Sequence, residues 1–112
     1  MSTTRRAKIE ALLTEDPDDV FLRYSLALEM LQSEVADEWD AGLSILESLA
    51  RAAPPYVPAF HMAARHLVTR QRIAEARRAL REGIDAAREQ GEAHAAAEMA
   101  ELLASLGAAG EA

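Results

Sequence analysis

Apolar residues along this chain recur at the three-to-four-residue spacing of helices, interrupted by short polar or proline-containing stretches. Six helical segments follow. The first spans about Thr4 to Glu15, with Ile9, Leu12 and Leu13 on one face. Asp16-Pro17-Asp18-Asp19 ends it and offers acidic caps to the second, which reaches about Gln32. The third begins near Asp37 and carries Trp39, Leu43, Ile45, Leu46 and Leu49 before Pro54-Pro55. Pro58 suits the first turn of a fourth that holds Phe60, Ala63, Ala64 and Leu67. The fifth runs from about Ile73 to Gln90, where Gly91 suits the left-handed conformation of a helix end. The sixth, a closing helix, has Ala95, Met99, Leu102, Leu103 and Leu106 to bury, leaves Glu98 and Glu101 for solvent, and stops at Gly107. No Gly or Pro marks the break at Arg70-Gln71-Arg72. It is placed there because one helix from Val57 to Gln90 would be far longer than small domains use.

The segments repeat. Phe60, Ala63, Ala64 and Leu67, followed by Ala76, Leu80 and Gly83, set large and small residues in an order that resembles the tetratricopeptide pattern. The preceding unit has the same grammar in Leu26, Ala27 and Met30, then Gly42, Leu46, Leu49 and Pro54, and Ile9, Leu12 and Pro17 resemble the second half of a unit. The chain departs from the family pattern at Arg23, where a large residue is usual, at the longer turn around Ser33–Glu38, and at Arg88, which ends the second unit in place of Pro. The resemblance implies an all-α fold, a short right-handed α-solenoid of three antiparallel helix pairs, over residues 1–107 as a single domain. Residues 108–112 are expected to fray.

Composition fits one soluble globular domain: 112 residues, 50% hydrophobic, 28% charged, 4% aromatic, net charge −7. There is no apolar run long enough for a membrane span, and Met1-Ser-Thr-Thr-Arg-Arg leads into charged residues rather than a secretory signal. A cytoplasmic location is the expectation. With no cysteine, disulfides, thiolate nucleophiles and Cys-based zinc sites are excluded.

Catalytic chemistry needs converging groups, and the spacing does not supply them. His61 and His66 are five apart on a helix, about 140° around its axis, too far round to share a metal. No HExxH, Gly-rich phosphate loop or GxSxG elbow occurs. An enzyme is not expected, nor a cofactor or metal. Charge is uneven, however. Residues 1–60 carry five basic and eleven acidic side chains, net −6, whereas residues 61–90 carry seven Arg and four acids, net +3. Arg70, Arg72, Arg77, Arg78, Arg81 and Arg88 therefore form a candidate basic ridge for an anionic ligand or RNA. Arg78–Glu82 and Arg81–Asp85 have the i,i+4 spacing of ion pairs, and no aromatics interleave the arginines to stack bases. Nucleic acid is the weaker reading.

The second helix is apolar almost all round. Leu26, Ala27 and Met30 are taken by packing, and Phe21, Tyr24, Leu28 and Leu31 then make a second stripe at i, i+3, i+7 and i+10. Such a stripe is core, a self-association surface, or a site for a partner. In tetratricopeptide proteins the first helix of each pair lines a concave groove for peptides or partner helices. The resemblance would place the stripe there, with His61, Arg65 and Val68 beside it. His61 and Arg65, four apart, would add partial positive charge for an acidic side chain or a C-terminal carboxylate. The Lys and Asn residues with which chaperone-binding members clamp acidic termini are missing from this face. Trp39 is read as structural, Met30 and Met99 as core, and Met62 as either core or a deformable binding surface. The expected function is non-catalytic protein–protein interaction, an adaptor or scaffold binding a peptide or amphipathic helix, with a homodimer over the same stripe as the alternative.

Overall fold

The computed structural model describes residues 4–107; the expectation for 108–112 lies outside the described residues. Six α-helices follow in order: α1 (Arg5–Glu15), α2 (Val20–Met30), α3 (Ala36–Ala50), α4 (Val57–Thr69), α5 (Ile73–Glu89) and α6 (Ala93–Leu106). The fold is all-α, and the helices pack mostly against their sequence neighbours. Contacts group the chain into two compact units, Met1–Leu49 and Ala50–Ala112.

In the first unit local chemistry sets the helix starts. The Thr4 hydroxyl accepts from the Ala7 amide at 3.0 Å, and the Asp19 carboxylate from the Leu22 amide at 2.8 Å. Each satisfies an amide that the first turn leaves without a partner. α2 stops at Met30, two residues short of the expected Gln32, because Leu31, Gln32 and Ser33 close into tight turns. The longer connection to α3 is filled by its own polar groups. The Ser33 hydroxyl accepts from the Val35 amide and donates to Glu38, while Arg6 of α1 donates to the same carboxylate at 2.7 Å. These two donors, the hydroxyl first, hold Glu38 below the usual carboxylate range.

α2 and α3 meet at Gly42. A Cβ there would lie 2.9 Å from the Ala27 carbonyl oxygen and 3.0 Å from Leu31 Cγ, so the hydrogen of glycine allows the approach. Arg23, the departure from the repeat pattern, is half-buried and donates to the Ser48 hydroxyl at 2.7 Å, a polar tie where a large apolar residue was expected. Trp39, Leu43, Leu46 and Leu49 of α3 are buried together with Ile9, Ala27 and Leu31. Leu46 and Leu49 are fully enclosed, each contributing roughly 1.5–3 kcal/mol of transfer free energy.

In the second unit α5 packs along both α4 and α6, and α6 also touches α4. Gly83 lets the helices come close: a Cβ there would sit 2.5 Å from Phe60 Cβ and 2.6 Å from Met99 Sδ. Ala64, Ala76 and Leu80, the other residues of the repeat pattern, are fully buried around it. The α4–α5 break falls at the expected place. Gln71 takes a left-handed φ of 59°, with its amide on the Val68 carbonyl and the Arg72 amide on that of Leu67. Gly91, with φ 72°, ends α5 through the same pair of bonds, to Arg88 and Ala87. Of the α6 residues expected inside, Met99 and Leu106 are buried, while Ala95, Leu102 and Leu103 remain half-exposed. Glu98 and Glu101 are exposed, as expected.

Candidate functional site

Exposure falls steadily along the α2 stripe. Phe21, in the first turn fixed by the Asp19 cap, is 64% exposed. Tyr24 and Leu28 are half-buried, and Leu31 is only 5% exposed. At the C-terminal end of the stripe Gly42 of α3 lies against Met30 and Leu31. Leu31 therefore contributes to the core of this unit and has little area left for a partner. Ser25 and Ala27, which flank the stripe on its two sides, are buried.

The large apolar residues most exposed among those described all belong to the first unit: Phe21, Val20, Leu12 and Val35. Leu12, grouped by periodicity with Ile9 and Leu13, is 53% exposed whereas Ile9 is buried. Leu12 and Leu13 lie within about 60° of Ile9 on either side, so spacing alone does not say which one faces the neighbouring helix. Short Asp16–Asp19 connects α1 to α2, which keeps Leu12 and Val20–Phe21 at the same end of that helix pair. Around them Glu15, Asp16 and Asp18 are exposed.

In the second unit α4 carries His61, Arg65 and Val68. His61 and Val68 are half-buried and Arg65 is exposed. Burial pushes the His61 imidazole below its ordinary value, the Arg65 guanidinium adds to the push, and Glu98 of α6 opposes it. His66 is lowered likewise, by burial first and then by Arg65 and Arg70. Both shifts favour the uncharged ring.

The arginine ridge is partly engaged within its own unit. Arg72 forks onto Glu75 with bonds of 2.8 and 2.7 Å, and Arg77 donates to the Gly107 carbonyl at 2.5 Å. Arg81 and Arg88 are exposed and border an open groove of about 560 Å³ between α5 and α6, a feature the sequence reading did not foresee. Its signal was present in the apolar Leu103 next to Ala100 and Ala104, which was read as core.

Among the described residues no three His, Asp or Glu side chains gather to hold a metal ion, and no helix is long and apolar enough to cross a membrane. The sites are thus surfaces on helices, one centred on Phe21, one on Arg65, and one groove beside Arg81 and Arg88. Comparison with known proteins finds no matching family model, no matching curated protein and no matching solved structure.

Proposed function

We propose that this chain is a non-catalytic interaction module of the tetratricopeptide type, acting in the cytoplasm, whose second helix offers Phe21, with Tyr24 and Leu28, to a peptide or amphipathic helix of another protein. The observation that carries the reading is Phe21: a large aromatic side chain 64% exposed on a helix that buries Ser25, Ala27 and Leu31. An aromatic in that position supplies much contact area at small entropic cost when a partner covers it. The tetratricopeptide part draws support from the small residues of the repeat pattern, since a Cβ at Gly42 or Gly83 would clash with the neighbouring helix. Its non-catalytic part rests on the sequence, where no spacing assembles a nucleophile and base or a metal-ligand set.

The test begins with solution mass by size-exclusion chromatography and light scattering over a wide concentration range, for wild type and Phe21→Glu. Phe21 is exposed enough for the charge to enter water without disturbing the core. A wild-type monomer, followed by capture of a partner that Phe21→Glu loses and moderate salt does not disrupt, supports the adaptor. A dimer that Phe21→Glu splits into folded monomers replaces it with self-association over the same stripe. Capture that persists in Phe21→Glu but collapses at about 200 mM salt shifts the site to the arginines.

A further inference from the structure

One ion pair fixes how α1 lies along α2. The short Asp16–Asp19 connection joins the two helices at one end, and Arg5–Glu29, at 3.7 Å, ties them at the other. Leu12 stands two turns beyond Arg5 on the same side of α1, about 10 Å along the axis. On α2 the row Phe21, Ser25, Glu29 runs the other way, and Phe21 lies about 12 Å from Glu29 toward the connection. The register therefore sets Leu12 opposite Phe21, with Ser25 buried on the row that α1 borders. Leu12, Val20 and Phe21 are all exposed and form one apolar patch at the connected end. Its rim is acidic. Between Lys8 and Tyr24 the chain carries five acids and two bases, and one of those bases, Arg23, is turned to the Ser48 hydroxyl. Glu15, Asp16 and Asp18 beside the patch are exposed.

We propose that this patch receives an amphipathic helix of another protein whose apolar ridge is flanked by Lys or Arg. The inference rests on the Phe21 reading and adds the charge of the partner. Packed helix axes lie roughly 8–10 Å apart, so two turns of a crossing helix, about 11 Å long, reach from Leu12 to Phe21. Its basic side chains then lie over the connection and donate to the Glu15, Asp16 and Asp18 carboxylates. A second copy of this chain is the less suitable occupant. A two-fold contact over the patch would set the acids of each copy against their equals. A head-to-tail contact would bring those acids to Arg81 and Arg88, but Ile84 between them is buried and Leu103 only half-exposed. Phe21 would gain little apolar cover there. Phosphate-rich surfaces are repelled by the same carboxylates.

The test uses the full chain, labelled for NMR, and two synthetic helices with the same Leu ridge, one flanked by Lys and the other by Glu. Expected are shifts at Leu12, Val20, Phe21 and the connection on adding the Lys peptide, which weaken as salt rises, and binding of the Glu peptide about tenfold weaker or worse. Glu15→Lys with Asp18→Lys, both at exposed positions, should reverse the preference. Phe21→Ala should weaken both peptides by about tenfold. Unchanged amide spectra away from the patch show that the variants fold. Equal binding of the two peptides at the patch overturns the charge assignment and leaves the Phe21 reading standing. No shift at the patch with either peptide overturns both. Shifts of the same amides on concentrating the chain alone, with a doubled mass by light scattering, replace the foreign helix with a second copy.

Discussion

Gly83 shows how much one hydrogen atom decides. A Cβ at that position would press on the Phe60 Cβ, which is tied directly to the α4 backbone and can move only if α4 moves. It would also meet Met99 Sδ, a flexible group that can swing aside. Alanine gains about 0.5–1 kcal/mol of intrinsic helix stability over glycine, but overpacking against an anchored neighbour costs about 1–3 kcal/mol. Gly83→Ala is therefore expected to lower the unfolding free energy, by roughly 1–2 kcal/mol in urea titration; an unchanged or raised midpoint would mean that α4 and α5 adjust freely. At this scale much was legible. Ala64, Ala76, Leu80 and Gly83 were placed by pattern, and all four are buried. What could not be read was the difference between Ile9, buried, and Leu12, exposed, because both lie on one face of α1 and only the position of its neighbour separates them.

Helix ends follow a second logic. α4 and α5 terminate through the same pair of backbone bonds, yet one uses Gln71 and the other Gly91 in the left-handed conformation. A side chain there crowds the following carbonyl and costs about 1 kcal/mol, which glycine avoids. Gln71→Gly should raise the midpoint of thermal unfolding, by roughly 1 kcal/mol of stability evaluated at the transition. A drop on calorimetry would show that the Gln71 side chain makes contacts worth more than the strain. The helix boundaries were mostly legible because their caps are local: Thr4, Asp19 and Gly91 act on amides and carbonyls within five residues. Gln71 carries no such chemical mark. Only the improbable length of an unbroken helix pointed to it.

Over the whole molecule, acidity should act in two windows. His61 and His66 are held below their ordinary value of 6.5, so as pH falls through that region the unfolded chain takes up protons that the folded chain does not. Stability present above 6.5 is then lost as pH falls toward the folded values. Glu38, lowered by the Ser33 hydroxyl and Arg6, and Glu75, lowered by Arg72, act in the same direction beginning near 4.5. The melting temperature is expected to decline between about pH 7 and pH 5, and His61→Gln combined with His66→Gln should flatten that part of the curve. A wild-type curve that is level there would show that both rings charge as easily folded as unfolded. Arg65 opposes protonation of both rings and Arg70 that of His66, while Glu98 favours it at His61.

Sequence by itself determined the helical class, the six elements and most of their ends, and the residues that meet where helices pack closely, because periodicity, capping and side-chain size act over one or two turns. It also singled out α2 as apolar beyond the needs of one buried face. Which part of that surplus stays in water was decided by tertiary structure alone. Gly42 lets α3 close over Leu31, a contact between residues distant in sequence, whereas Phe21 on the same stripe stays exposed. In the second unit the same kind of contact sets α6 across α5, buries Ile84 and leaves Leu103 half-exposed beside Arg81 and Arg88. A one-dimensional pattern records that a side chain is apolar. Whether another helix covers it depends on where the chain returns.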